Sequence, residues 1–171
     1  MLRNLSKRLI HIGQAIPESS VTLVVGSDKG KYNIEPNVDT KTYFTNKKVV
    51  LVGFPGAFTP TCTATHIPEY IKLVEQFKQK GAHVVALTVN DPFVCKEFGE
   101  ELGGGIAFLA DGAGKFTMSL DAGVDLSDKA LGYRTRRFSA FVEDGTITQL
   151  NDEGGPGMTD LSRAETMLKS I

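Results

Sequence analysis

Val49-Val50-Leu51-Val52-Gly53-Phe54-Pro55-Gly56-Ala57-Phe58-Thr59-Pro60-Thr61-Cys62 decides how this chain folds. The apolar, β-branched run ending at Gly53 suits a strand buried on both faces, as in parallel sheets covered by helices. The chain must then turn at Pro55-Gly56. Thr59 precedes a proline and is pushed to extended dihedrals, and threonine is also a preferred helix N-cap. Pro60 falls at the first helical position, where a missing N–H is no loss. Cys62 is thereby predicted in the first turn of a helix. Unpaired backbone N–H groups and the positive end of the helix dipole favour a thiolate there.

Working outward, Val21-Thr22-Leu23-Val24-Val25 reads as a strand, Gly26 to Lys31 as a turn, and the chain on to Asn46 as loop. A helix is expected from Pro60 to about Lys80, burying Ile67, Tyr70, Ile71, Val74 and Phe77, with a kink where Pro68 cannot donate to the Ala64 carbonyl. Val84 to Val89 reads as a second buried strand, Asn90-Asp91-Pro92 as the start of a helix carrying Phe93, Cys95 and Phe98, and Ile106 to Ala110 as a third strand. A short helical piece near Lys115 to Leu120 follows. Such alternation implies right-handed crossovers and a parallel core. Arg137 to Glu143 and Thr146 to Leu150 form a predicted hairpin with a primed turn at Asp144-Gly145. The last helix is expected to begin at a capping box, Ser162-x-x-Glu165, and to align Leu161, Ala164, Leu168 and Ile171.

The 171 residues are enough for one ordinary domain, and a net charge of −1 without a basic stripe argues against nucleic acid as partner. No apolar run reaches membrane-spanning length. Cys62 and Cys95, the two cysteines, are too few for a disulfide framework and lack metal-site spacing, so a reducing compartment is expected. Arg3, Lys7 and Arg8, with Leu2, Leu5, Leu9 and Ile12 at helical spacing, have the flavour of a mitochondrial transit segment; a plain basic tail with a cytoplasmic location is the leading reading.

Pro55, Thr59 and Cys62 stand as Pro-x-x-x-Thr-x-x-Cys, which resembles the active-site signature of peroxiredoxins. His66-Ile67-Pro68, Val89-Asn90-Asp91-Pro92-Phe93 and Arg136-Arg137-Phe138 are similar to the type II, or peroxiredoxin-five, subfamily, from about Ile12 to the C-terminus. The resemblance implies an α/β thioredoxin fold: a central mixed sheet flanked by helices, with an N-terminal strand extension. It also implies a basic extension over 1–11, a single domain over 12–171 and a homodimer. Cys62 would be the peroxidatic thiol attacking hydrogen peroxide or an organic hydroperoxide, with Pro55 and Thr59 shaping its pocket and Arg137 as the family's arginine. Arg134 and Arg136 are rivals that strand alternation alone does not exclude. His66 is read as a packing or hydrogen-bonding residue, since a thiolate already formed needs no base. Phe54, Phe58 and Phe93 are implied to form an apolar pocket and dimer face.

The expected product is a sulfenic acid that must be returned by a thiol or be lost to sulfinic acid with excess peroxide. Animal members carry a resolving cysteine before the last helix, where this chain has Gly155-Pro156-Gly157-Met158-Thr159-Asp160. Plant-like members carry one in the strand occupied here by Val85-Ala86-Leu87. One-cysteine turnover with glutathione and a glutaredoxin, or with a thioredoxin-like protein, is therefore expected, with Cys95 kept as a candidate resolving residue. No cofactor or metal is expected. Thioredoxin-type disulfide reduction would need Cys-x-x-Cys, and Thr59 stands at its first position. The alternative from another class is a peroxide sensor or redox-regulated chaperone, in which Cys62 oxidation changes a partner rather than clearing peroxide.

Overall fold

The hydrophobic run forms strand β3 (Lys48–Gly53), whose Val49, Val50, Leu51 and Val52 are fully buried because neighbours cover both edges and both faces. In this computed structural model, which describes residues 9–26 and 30–171, β3 pairs in parallel with β4 (His83–Thr88) and antiparallel with β8 (Phe138–Glu143). Strand β4 in turn pairs in parallel with β5 (Ala107–Ala110). With β1 (Ser20–Gly26), β2 (Tyr32–Asp39) and β9 (Thr146–Asp152), the sheet has seven strands in the order β2-β1-β5-β4-β3-β8-β9. Helices α2 (Ile67–Gln79), α3 (Pro92–Glu101) and α5 (Ala164–Ser170) cover one face, contributing Tyr70, Phe77, Phe98 and Met167 to its core. Helices α1 (Thr40–Phe44) and α4 (Lys115–Ser119) cover the other with Phe44 and Phe116. This is the mixed sheet and flanking helices of the thioredoxin fold, with β1 and β2 as its N-terminal extension.

The expected hairpin turn forms with both Asp144 and Gly145 at positive φ, 46° and 73°, as a primed turn requires. The segment to Asn46 was expected to be loop but forms β2 and α1. Strand β2 is an edge strand with little burial alternation, and an edge tolerates its Pro36, so it shows no period-two pattern. Helix α1 is a single turn capped by Asp39, too short for periodicity. An unforeseen ribbon pairs β6 (Gly123–Leu126) with β7 (Gly132–Thr135).

Residues 1–8 and 27–29 lie outside the described residues, so most of the proposed N-terminal helical face and the centre of the first turn do too. Leu9 and Ile12 are not helical; they are exposed, while Ile10 is buried and its N–H donates to the Asp121 carbonyl at 3.3 Å. The capping box also fails to form. Arg163 takes the cap position of α5 without a side-chain cap bond, because the Ser162 hydroxyl donates to Glu153 Oε1 instead, at 2.8 Å. Leu161, expected on the buried face, is exposed.

Candidate active site

The chain leaves β3 at Gly53, and Phe54 adds one further bond to the edge, its N–H donating to the Leu87 carbonyl at 3.1 Å. The turn that follows is held from two sides. Asn90, just past the end of β4, accepts from the Ala57 N–H at 2.9 Å and from the Thr88 hydroxyl at 3.0 Å. Arg134 Nη1 donates to the buried Pro55 carbonyl at 3.3 Å. Phe58 is at φ 61°, a left-handed conformation costly for a bulky side chain, and its ring meets Phe98 edge-on at 5.2 Å.

Thr59 sits where the helix begins: its carbonyl accepts from the Thr63 N–H at 3.0 Å. Its hydroxyl does not cap the helix as expected. It donates back to the Gly56 carbonyl at 2.7 Å and so closes the turn on itself. The first helical residues lead into a π-turn over Cys62–His66, in which the Ile67 N–H reaches the Cys62 carbonyl. Pro68, which has no N–H to donate, follows this widened turn in the first turn of α2.

Cys62 is 1% exposed. Of the three arginines considered, only Arg137 reaches it, with Nη2 donating to Sγ at 3.4 Å. Arg137 Nη1 donates to His66 Nδ1 at 3.0 Å and Nε to the Pro156 carbonyl at 3.1 Å, so the planar fork is pinned in three directions. Arg136 lies on the opposite sheet face, paired with Asp152 at 2.9 Å. A guanidinium is only a donor, which makes His66 Nδ1 the acceptor and puts the ring proton on Nε2. That N–H donates to the Ser162 carbonyl at 3.1 Å, beside a second donor to the same oxygen, Tyr70 Oη at 2.8 Å. Burial, and then the Arg137 charge, hold the His66 pKa down at about 3. His66 is therefore neutral and fully committed, which fits the hydrogen-bonding role read from the sequence.

Asn90, Tyr70, Ser162 and Glu153 are site elements whose roles the sequence did not disclose. Tyr70 follows His66 by one helical turn, and Glu153 precedes two hydroxyl residues in a glycine-rich loop; these were the available signals. Phe54 is buried, while Phe58 and Phe93 are 46% and 73% exposed beside the site. Cys95 is fully buried in α3, and burial, with the Asp91 charge adding to it, pushes its thiol up to about 12. Among the described residues no group of three His, Cys, Asp or Glu could hold a metal ion.

Comparison with known proteins fixes the family. The Redoxin family description matches residues 12–168. Curated relatives named peroxiredoxin-2 align over 95% of the chain, and there is a structural likeness to a peroxiredoxin 5. Together these place the chain among the peroxiredoxins, in their type II, or peroxiredoxin-five, group. It is 36% identical over 165 residues to peroxiredoxin-2D of Arabidopsis thaliana, covering 95% of this chain and 98% of that one. The reduced Prx3 of Vibrio vulnificus in complex with hydrogen peroxide superposes with a TM-score of 0.82 at 36% identity, covering 95% and 99% of the two chains. The Plasmodium falciparum antioxidant protein, titled a 1-Cys peroxiredoxin, gives 0.82 at 27% identity over 94% and 99%. As a peroxiredoxin the chain is a thiol peroxidase with an antioxidant role.

Proposed function

We propose that Cys62 is the peroxidatic thiol, and that it turns over hydrogen peroxide and organic hydroperoxides in a one-cysteine cycle. The observation that carries this reading is the Arg137 Nη2 to Cys62 Sγ contact at 3.4 Å inside a buried site. The Cys62 thiolate attacks one peroxide oxygen. The S–O bond forms as the O–O bond breaks, and the departing hydroxide or alkoxide takes a proton from solvent. The sulfur is oxidised by two electrons to sulfenic acid and the peroxide is reduced to water or an alcohol. Negative charge passes from sulfur to the leaving oxygen, and a fixed cation beside both stabilises the transition state in a site that excludes water. Pro55 supplies the buried wall of that site. Thr59 closes the turn, and rotation of its hydroxyl away from the Gly56 carbonyl would offer a donor to a bound peroxide.

Glutathione condenses with the sulfenic acid, releasing water and leaving a mixed disulfide. A second thiol, from glutathione with a glutaredoxin, then releases it; in the alternative route a thioredoxin-like dithiol reduces the sulfenic acid directly, forming its own disulfide and water. The fully buried, unionised Cys95 is a poor nucleophile, which supports an external reductant over an internal disulfide. The likeness to a protein titled a 1-Cys peroxiredoxin supports the same choice. Exposed Phe58 and Phe93 offer an apolar face to a second copy, which supports a homodimer. We further read 1–11 as a basic extension, 12–171 as one domain, and the compartment as cytoplasmic, or mitochondrial if 1–11 is a targeting segment. No described helix is long and apolar enough to cross a membrane.

Intact mass and non-reducing electrophoresis after one equivalent of hydrogen peroxide test the cycle, on wild type, Cys62→Ser and Cys95→Ser, with and without glutathione. The expected result is a glutathione adduct on Cys62 that is indifferent to Cys95, with catalytic turnover once reductant is supplied. A disulfide lost in Cys95→Ser would make Cys95 resolving. Stoichiometric oxidation without turnover would favour a peroxide sensor, and activity surviving in Cys62→Ser would end the proposal.

A further inference from the structure

The unused capping box points to a device around the thiol. Ser162 forgoes the N-cap of α5 and turns to Glu153, whose carboxylate gathers four donors. Oε1 accepts from the Thr159 N–H at 3.0 Å, the Ser162 N–H at 3.0 Å and the Ser162 hydroxyl at 2.8 Å; Oε2 accepts from the Thr159 hydroxyl at 2.7 Å. Partial burial works against the charged form, yet these bonds hold the Glu153 carboxyl below its ordinary value. One side chain therefore stitches the segment 153–162 into a fixed loop.

That loop is what orients the arginine. Its Pro156 carbonyl accepts from Arg137 Nε, its Gly155 carbonyl from the Arg137 N–H at 2.9 Å, and its Ser162 carbonyl from His66 and Tyr70. The Glu153 N–H closes the ring by donating to the Arg137 carbonyl at 3.1 Å. The circuit runs Arg137, His66, Ser162, Glu153 and back to Arg137, and only the Nη2 group is left over to face Cys62 Sγ.

We propose that Glu153 is a positioning residue for the peroxide reaction: by stitching the loop that holds Arg137 and His66, it aims the guanidinium at Cys62. Glu153 touches neither the sulfur nor a peroxide. A loose loop leaves the cation present but free to swing, and preorganised charge loses its effect when it must reorganise during the reaction. The inference rests on the reading of Cys62 as the peroxidatic thiol.

The test uses the full chain, with stopped-flow oxidation of Cys62 by hydrogen peroxide measured across pH, and thermal melting in parallel. Glu153→Ala is expected to slow oxidation by about tenfold or more and to move the pH profile of the rate upward. Glu153→Gln should recover most of the rate, because its amide oxygen still accepts from the Ser162 N–H and the Thr159 hydroxyl can turn to accept from its amide. Ser162→Ala, which removes one bond and leaves the backbone bonds, should cost severalfold and carries the test if Glu153→Ala does not fold. A lowered melting point with unchanged rate and pH profile would overturn the proposal, as would a Gln variant as slow as Ala. Wild-type Cys62 that fails to react would instead overturn the peroxidatic reading, so the two failures are distinct.

Discussion

Replacing Arg137 by lysine keeps the charge and removes the fork, which makes it the sharpest probe of the site. Arg137 donates in three directions from a rigid plane: to Sγ at 3.4 Å, to His66 at 3.0 Å and to the Pro156 carbonyl at 3.1 Å. A lysine ammonium is a point donor at the end of a flexible stem and can serve one of these places at a time. A hydrogen bond to a charged partner contributes about 1.5–3 kcal/mol. Losing the one aimed at the sulfur should therefore slow Cys62 oxidation by roughly tenfold to a hundredfold. The same change leaves His66 Nδ1 unpaired in the interior, at a cost of about 1–3 kcal/mol, which a domain of ordinary stability of about 5–15 kcal/mol survives. The assay is the second-order rate constant with hydrogen peroxide, beside a denaturant titration showing that the variant is folded. Arg136→Lys is the control: it should lower stability through the buried Asp152 pair and leave the rate alone. A folded Arg137→Lys protein reacting within about twofold of wild type would refute the argument that fork geometry sets the rate.

Three further outcomes follow from the same contacts. The His66 pKa is depressed to about 3 from 6.5, so between these values the unfolded chain binds a proton that the folded one refuses. Stability should fall with decreasing pH through that window, with this residue contributing up to about 1.4 kcal/mol per pH unit, and His66→Gln should flatten the slope in denaturant midpoints measured against pH. An equally steep slope in the variant would sink that assignment. Asn90→Ala strips the acceptor from the buried Ala57 N–H and should cost about 1–3 kcal/mol in unfolding free energy while slowing Cys62 oxidation; no loss in either would show that the turn holds itself. Gly53→Ala would place a Cβ 2.1 Å from the Phe138 ring, so unfolding measurements should show about 1–3 kcal/mol of destabilisation, and a wild-type midpoint would show that the ring can move aside.

The strand, turn and helix start from Val49 to Cys62 were legible because the apolar run, Pro55-Gly56 and Thr59-Pro60 each have a local reason for their place, whereas the left-handed Phe58 and the Thr59 hydroxyl turned back on Gly56 had none. Also legible were β4, β5 and the Asp144-Gly145 hairpin, where burial or turn chemistry is written over a few consecutive residues. Strand β2 was not, because an edge strand that buries little has no periodic signal, and the β6–β7 ribbon is too short to carry one. The capping box at Ser162 fails for a different reason. The same hydroxyl has two partners in reach, a helix N–H and the Glu153 carboxylate, and only the loop geometry decides between them. His66 was legible as a hydrogen-bonding residue, but its partners lie 71 and 96 positions away along the chain.

The choice of Arg137 over Arg136 shows where local reading stops and the sheet takes over. Alternation places the two on opposite faces of a strand, yet nothing local says which face the thiol will share. The register supplies the answer. Strand β8 runs antiparallel to β3 with Phe138 opposite Gly53, so Arg137 lies one step beyond the strand end, level with Phe54, where the chain turns toward Cys62. Phe138 packs into the core under α1 and α4, and Phe54 into the core that holds Cys62, Tyr70 and Met167. Arg137 therefore points to the face over which the cysteine helix returns. A slip of one residue between β3 and β8 would send Arg136 to that face and Arg137 to the other. The buried valines and leucine of β3, which make such a slip prohibitive, are thus as much a part of aiming the guanidinium as the groups that touch it.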